Sequence, residues 1–155
     1  VRSSAASDVY KRQLIDMGCK YEGYCSDMTR TIFMGCILEE IKPVYDLALK
    51  NLELSTKEIT DGYTIKTAAN MVESDFKVNG YNLIHALGHG VGLEVHELPF
   101  IRLKNEASFK ENMVIADEPG IYLPGRYGIR IEDTLLVTKN GSERLTKSER
   151  GYVVI

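Results

Sequence analysis

The three histidines of the chain, His85, His89 and His96, all lie within twelve consecutive residues. Neutral imidazole is a common metal ligand, and its ordinary pKa lies near neutrality, so this density indicates a metal site or a proton-transfer site. Three glycines surround the middle histidine: Gly88, Gly90 and Gly92. Glycines let a backbone or a ligand approach closely, which suits a crowded site better than an ordinary core strand. Chance clustering of unrelated histidines is the competing interpretation, and it does not account for the glycines.

Four carboxylates occupy positions where the neighbouring residues predict strands. They are Asp16, Asp27, Glu118 and Glu132. A carboxylate in apolar surroundings costs free energy unless it is paired or bound to a metal. The basic residues nearest to them in sequence are Arg30 and Arg130. Two divalent cations would supply the required positive charge better than these two side chains.

The imidazole of His89 and these four carboxylates form an oxygen-rich donor set without thiolates. Such a set favours a pair of manganese, iron, cobalt or zinc ions over a structural zinc ion. Two cations about 3.5–4 Å apart would share a water, lower its pKa and polarise a substrate carbonyl. The chemistry indicated is hydrolysis of an amide or a related bond. Any single acidic residue is more often part of the solvated surface, so the argument depends on the set.

The elements that must position these residues follow an α+β order rather than alternating β-α-β units. Apolar spacing predicts helices over 38–60 and 64–76. A strand is predicted to end near Gly18, a hairpin to turn at Glu22-Gly23, and further strands to cover 27–33, 113–116 and 128–138. Residues 100–109 are predicted as a loop. The expected architecture is an antiparallel sheet with flanking helices.

Bulk properties limit the class of protein. The chain has 155 residues, which fits one domain, and a formal net charge of -3 without a basic block, so nucleic acid is not an expected partner. No apolar run approaches the roughly 18 residues of a membrane span, so no membrane association is expected. The three cysteines show no CxxC spacing, and the first residues lack the pattern of a secretory signal. A reduced, cytoplasmic setting is therefore expected.

The first thirteen residues are polar and aperiodic. We predict that 1–13 form a disordered or non-native lead-in, and that 14–155 form the folded domain.

Motifs of the chain, taken together, resemble those of the pita-bread metallopeptidases, which include methionine aminopeptidases, aminopeptidase P and prolidase. The matching segments are LIDMG (14–18), YCSDMTRT (24–31), HALGHGVG (85–92), VHE (95–97), EPGIY (118–122) and GIRIED (128–133). They occur in the order of the family and extend the resemblance from residue 14 to about residue 146. The resemblance implies the pita-bread fold.

The resemblance also implies a role for each residue of the set. Asp16 would chelate one metal ion, His89 and Glu118 the other, and Asp27 and Glu132 both. A hydroxide shared by two divalent ions, manganese first and cobalt, zinc or iron otherwise, would attack the scissile carbonyl, with Glu118 moving the proton. The remaining roles concern substrate: His96 would bind the carbonyl or oxyanion, and His85 and Arg130 would orient substrate, with help from Tyr122.

Two details favour one branch of the family. His85, four residues before His89, and Arg130, two residues before Glu132, resemble the proline-peptidase signature. The implied activity is that of an Xaa-Pro aminopeptidase or Xaa-Pro dipeptidase on peptides with proline at the second position. A methionine aminopeptidase, a non-catalytic peptide-binding relative and an inactive fragment are the alternatives. For the full-length protein, a homodimer is left open.

Some features depart from the family pattern or have a less specific interpretation. The chain would be N-terminally truncated, as the second part of a catalytic domain. Asp117 replaces a residue that is usually apolar, and we assign it no chemistry. Asp133 is expected at the solvated surface or as a partner of a site residue, and Arg30 is as well explained by pairing with Asp27 as by any other role.

Overall fold

The computed structural model describes residues 12–155. Within them the chain forms two helices, α1 (Lys42–Glu58) and α2 (Ile65–Val78). The strands are β1 (Arg12–Met17), β2 (Lys20–Tyr21), β3 (Tyr24–Cys25), β4 (Met28–Phe33), β5 (Gly88–Gly90), β6 (Glu97–Ile101), β7 (Val114–Asp117), β8 (Gly120–Leu123), β9 (Tyr127–Arg130), β10 (Asp133–Thr138), β11 (Gly141–Arg144) and β12 (Val153–Val154). Among the described residues, no helix combines the length and the apolar character needed to cross a membrane.

Two sheets carry the architecture. The larger has five antiparallel strands in the order β11-β10-β7-β5-β6. The smaller has the order β1-β4-β12, in which β1 is antiparallel and β12 parallel to β4. The pairs β2-β3 and β8-β9 are hairpins. The strands that carry the acidic and histidine motifs are therefore neighbours within one sheet or the other.

The hydrophobic core lies between the helices and the sheets. Helix α1 begins with Pro43 in its first turn, where a missing backbone N–H leaves no helical bond unmade. Its inner face is buried, as is that of α2, and fully burying one such aliphatic side chain contributes about 1.5–3 kcal/mol. The buried apolar residues of the two helices are Val44, Tyr45, Leu47, Ala48, Leu52, Ile65, Ala68, Ala69, Val72 and Phe76.

The predicted α+β class and both helices are confirmed, although α1 begins at Lys42 rather than at residue 38. Other predicted boundaries were also wrong. Arg12, within the predicted lead-in, belongs to strand β1 and pairs with Phe33, so the predicted boundary at residue 14 was too late. The rest of the predicted lead-in, 1–11, lies outside the described residues. The predicted loop at 100–109 began too early, because strand β6 runs to Ile101 and its Phe100 lies opposite His89.

The predicted single strand over 128–138 is two strands with different partners. Residues of β9 pair with β8, whereas β10 pairs with β7 in the larger sheet. The chain changes partner at Ile131 and Glu132, and an isolated bridge joins Glu132 to Thr29 of β4. Alternation of apolar residues does not mark such a change, because both halves remain extended and half-buried. The break places Glu132 at the junction between the two sheets.

Candidate metal centre

The register of the smaller sheet brings three of the predicted carboxylates together. Asp16 of β1 lies opposite Thr29 of β4, and Glu132 bridges to the same Thr29. The Glu132 N–H donates to the Thr29 carbonyl at 3.0 Å. Asp27 lies two residues before Thr29, and a hydrogen bond from the Thr134 hydroxyl to the Asp27 backbone carbonyl, 2.6 Å long, holds it in place. Asp16, Asp27 and Glu132 are therefore all held close to Thr29 of β4.

The larger sheet supplies the other two residues. His89 of β5 lies opposite Ala116 of β7, and the N–H of Glu118, just beyond β7, donates to the Leu87 carbonyl at 2.8 Å. This close pairing requires glycine beside the histidine. A Cβ on Gly88 would lie 1.9 Å from the Ala116 carbonyl oxygen, far inside van der Waals contact. The glycines noted in the sequence therefore let strands pack against each other around His89.

The donor atoms of the five residues converge. Three overlapping groups each have ligand atoms within 4.8 Å of one another: Asp16, Asp27 and Glu132; His89, Glu118 and Glu132; Asp27, His89 and His96. His89 Nε2 lies 3.6 Å from Asp27 Oδ2 and 3.6 Å from Glu118 Oε1. Four of the five side chains are largely buried, and Asp16 is half-exposed at the rim.

The cluster contains four carboxyl groups, and the guanidinium of Arg130 lies beside two of them, Asp16 and Glu118. Burial, together with the charges of Asp27 and Asp16, raises the pKa of Glu132 to about 8 and that of Glu118 to about 7. Burial and the Asp16 carboxylate also raise the pKa of Asp27. Carboxylates that resist ionisation because they repel one another are those to which a bound cation adds most.

The tautomer of His89 agrees with a cation at the centre. Its Nδ1 lies 3.0 Å from the Gly90 carbonyl, which can only accept, so Nδ1 carries the proton. Burial lowers the pKa of His89, which favours the neutral ring. The lone pair of Nε2 then faces two carboxylates, an arrangement that is repulsive without a cation between them and favourable with one. The donor set therefore fits a divalent metal.

A hydrogen-bonded chain runs beside the cluster and contains three further predicted residues. Arg130 Nη2 contacts Asp16 Oδ2, and Nη1 donates to the Tyr122 hydroxyl at 3.2 Å. That hydroxyl lies 3.0 Å from His85 Nε2, while His85 Nδ1 lies 2.6 Å from the Ala86 carbonyl. Since His85 Nδ1 donates, Nε2 accepts from Tyr122. Arg130 Nε also lies 3.7 Å from Glu118 Oε2.

His96 lies at the open side of the cluster. Its side chain is exposed, and its ring centroid is 4.3 Å from that of His89. It lines a cleft of about 480 Å³ together with Asp16, Asp27 and Cys25. This position suits contact with a ligand that enters through the cleft. By distance alone His96 is also near enough to Asp27 and His89 to be a metal ligand.

Arg30 does not pair with Asp27, which corrects one of the predicted alternatives. It is three residues along, on the opposite face of the strand, and its Nη2 donates to Asp133 Oδ1 at 2.7 Å. All five guanidinium N–H groups find acceptors, on Thr29, Glu132, Asp133, Ser148 and Glu149. Asp133 is fully buried rather than solvated, and Arg150 Nε donates to its Oδ2 at 2.5 Å.

Two buried polar residues beside the cluster, Thr29 and Asp117, were not predicted from the sequence to belong to the site. Thr29 is fully buried and its hydroxyl contacts both Glu132 and Arg130. Asp117, adjacent to Glu118, is fully buried on the other face of β7, where the Ser55 hydroxyl donates to its Oδ2 at 2.5 Å. The inward-facing alternation of Asp27, Thr29 and Thr31 was the available signal for Thr29. The hydrogen-bond partner of Asp117, Ser55, comes from helix α1, so the sequence around Asp117 gives no indication of the contact.

Comparison with known proteins agrees with this geometry. The family described as metallopeptidase family M24 matches residues 8–139. The Xaa-Pro dipeptidase of Pyrococcus furiosus is 45% identical over 139 residues, which are 88% of this chain and 40% of that protein. The solved X-Pro aminopeptidase of Thermotoga maritima covers 93% of this chain at 39% identity and a TM-score of 0.90, and the match spans 41% of its own chain. The prolidase of Pyrococcus furiosus gives 44% identity, a TM-score of 0.86, and coverage of 89% and 42%.

The expected fold is therefore confirmed, since these solved structures superpose on nearly all of the chain. The chain spans about 40% of the length of the curated relatives it matches. From the convergence of the five side chains and from these comparisons, we conclude that the chain belongs to metallopeptidase family M24.

Proposed function

We propose that this chain carries a dinuclear metal centre for the hydrolysis of peptides with proline at the second position, as in an Xaa-Pro dipeptidase or aminopeptidase. The observation that supports the proposal is the convergence of five side chains, four carboxylates and one imidazole, whose atoms could bind metal ions. The printed names of the relatives supply the substrate class: Xaa-Pro dipeptidase, X-Pro aminopeptidase and prolidase.

Each ligand has a proposed place. Asp16 would hold one cation, His89 and Glu118 the other, and Asp27 and Glu132 would be shared between them. Manganese is our first choice, because carboxylate and imidazole donors without thiolate suit it. When bound, two such cations would lower the pKa of a shared water and polarise the scissile carbonyl.

The side chains around the cations would do the rest. Glu118 would take and return a proton at a carboxylate oxygen. His96, at the edge of the cleft, would donate to the substrate carbonyl or to the developing oxyanion. Arg130 would hold the Tyr122 hydroxyl and Asp16 in fixed positions, and Tyr122 would in turn hold His85.

Proline at the second position imposes a requirement on the cleft. An Xaa-Pro bond has no N–H, so the site has to recognise the ring rather than an amide hydrogen bond. His85 and Tyr122 pack edge to face, with ring centroids 5.4 Å apart, and Arg130 links Tyr122 to Asp16. This pair would lie beside the substrate, where it would contact the proline ring.

Metal analysis followed by a peptide-release assay tests the proposal. The chain, stripped with a chelator and reloaded with Mn²⁺ or Co²⁺, should bind two ions and release proline from Ala-Pro faster than alanine from Met-Ala. The chelated chain is the control and should release neither. Absence of bound metal would favour the non-catalytic alternative, and a preference for Met-Ala would favour methionine aminopeptidase. Two bound ions without turnover of dipeptides or an X-Pro-Y tripeptide would contradict activity of this chain.

A further inference from the structure

Thr29 occupies a central position at the junction of the two sheets. It is fully buried in strand β4, opposite Asp16, and its carbonyl accepts from the Glu132 N–H. Its hydroxyl oxygen lies 2.5 Å from Glu132 Oε2 and 3.1 Å from Arg130 Nε. One small side chain therefore touches both a proposed metal ligand and the arginine of the adjoining hydrogen-bonded chain.

The direction of these hydrogen bonds follows from the chemistry of the partners. Arginine only donates, so the Thr29 oxygen accepts from Arg130 Nε. The hydroxyl has a single proton, which is then directed at Glu132 Oε2. With Glu132 ionised, as a metal ligand has to be, the two contacts are therefore arranged in sequence, from Arg130 through Thr29 to Glu132.

This arrangement restricts how Glu132 can present its oxygens. With Oε2 engaged by Thr29, rotation of the carboxylate would break a buried hydrogen bond and leave the Thr29 hydroxyl without an acceptor, which opposes the rotation. Glu132 belongs to two of the three groups of converging donor atoms, one with Asp16 and Asp27 and one with His89 and Glu118. A carboxylate shared by two cations has to be held at a fixed orientation for both.

We propose that Thr29 is a positioning residue that orients Glu132 for two cations at once and connects it to Arg130. The inference rests on the proposed function, since it concerns the same metal centre. The competing interpretation is that Thr29 only satisfies buried polar groups and fills space in β4.

Substitutions that separate the hydroxyl from the shape of the side chain test this inference. Thr29→Val keeps the β-branch and loses the hydroxyl, whereas Thr29→Ser keeps the hydroxyl and loses the methyl group. Thr31→Val is the matched control, because Thr31 is equally buried, two residues along the same face of β4, and its hydroxyl contacts only the backbone of Arg130. All three are purified without metal and compared with the unsubstituted chain.

The readout is titration with CoCl₂ by calorimetry and by the visible absorption of bound Co²⁺. Thr29→Val should weaken both binding events about 10–100-fold, the usual effect of losing a hydrogen bond to a metal ligand, and should change the absorption spectrum. Thr29→Ser should keep the Co²⁺ affinity and the absorption spectrum of the unsubstituted chain. Thr31→Val should leave affinity and spectrum unchanged while lowering stability to a similar extent as Thr29→Val.

Several outcomes would overturn the inference. Unchanged Co²⁺ affinity in Thr29→Val, or equal losses in Thr29→Val and Thr31→Val, would assign Thr29 a purely structural role. Should Thr29→Val fail to fold, Thr29→Ser and Thr29→Ala are compared, because they differ only in the hydroxyl, and equal affinities in this pair would reject the inference. If the unsubstituted chain binds no Co²⁺, the proposed metal centre itself fails and Thr29 with it.

Discussion

His89 and His96 lie side by side, and both are close enough to Asp27 to share a metal ion with it. We nevertheless propose different roles for them, a metal ligand for His89 and a substrate contact for His96. His89→Ala should remove one of two bound ions and abolish peptide hydrolysis, because Nε2 faces the carboxylates at the centre. His96→Ala should keep both ions and lose about 10²–10³ in rate, as expected for a lost oxyanion donor. Metal content per chain and kcat for Ala-Pro are the measurements. Loss of an ion in His96→Ala would make His96 a ligand, and full activity in His89→Ala would reject the assignment of His89.

The burial of Asp117 predicts that the stability of the chain depends on pH. Asp117 is fully buried, its Oδ1 has no hydrogen-bond partner among residues 12–155, and burial raises its pKa to about 8. In the unfolded chain an aspartate titrates near 3.9, so between about pH 4 and 8 the folded state holds a proton that the unfolded state has released. Stability therefore falls as pH rises through this range, by up to about 1.4 kcal/mol per pH unit for one proton.

Asp117→Asn removes this titration while keeping the size of the side chain. The variant should show a flatter decline in the free energy of unfolding between pH 5 and pH 8, and it should be the more stable chain at pH 8. Urea unfolding at both values, with the two chains equally free of metal, measures the difference. Identical pH slopes for the two chains would show that Asp117 is ionised in the fold.

Strand β5 shows at the scale of an element how the backbone determines the site. Its Gly88 lies so close to β7 that Gly88→Ala would force the two strands apart, because the new Cβ meets backbone rather than a flexible side chain. We expect a loss of about 1–3 kcal/mol in the free energy of unfolding, the usual cost of overpacking, together with weaker Co²⁺ binding. Gly151→Ala is the control, since a Cβ there would have no atom of the described part of the chain within 4 Å. Equal stabilities of the two variants would show that β5 and β7 separate without cost.

The elements that were predictable are those whose signals are local. Helix α1 follows from apolar spacing and Pro43, and the hairpin between β2 and β3 from Glu22-Gly23, where both residues have positive φ. The break at Glu132 was not predictable, because periodicity describes burial and not the identity of the partner strand. Register between distant segments depends on tertiary packing.

The same division holds for the candidate site. Asp16, Asp27, His89, Glu118 and Glu132 were recognisable because an ionisable group in a strand context is unusual by itself. The contacts of Arg30 were not recognisable, because its acceptors Asp133 and Ser148 lie more than a hundred residues away. The residue types of a site thus leave a local signal, whereas the hydrogen bonds that hold them depend on the completed fold.

For the molecule as a whole, the cluster joins parts of the fold that are distant in sequence. Asp16 and Asp27 come from the smaller sheet, His89 and Glu118 from the larger, and Glu132 from the junction. Repulsion among these carboxylates opposes the approach of the two sheets when no cation is bound. A cation bound to all of them would stabilise the whole domain, because the unfolded chain does not assemble the site.

Metal removal should therefore lower the melting temperature of the chain. A ligand at one hundred times its Kd stabilises the folded state by about 2.7 kcal/mol, and each kcal/mol shifts Tm by about 2–4 °C at this chain length. Scanning calorimetry with CoCl₂ should show a rise of roughly 5–10 °C, which excess chelator reverses. His89→Ala should show a smaller rise, because it retains only one set of ligands. A Tm that does not respond to Co²⁺ in the unsubstituted chain would mean that the cluster binds no cation in the folded state.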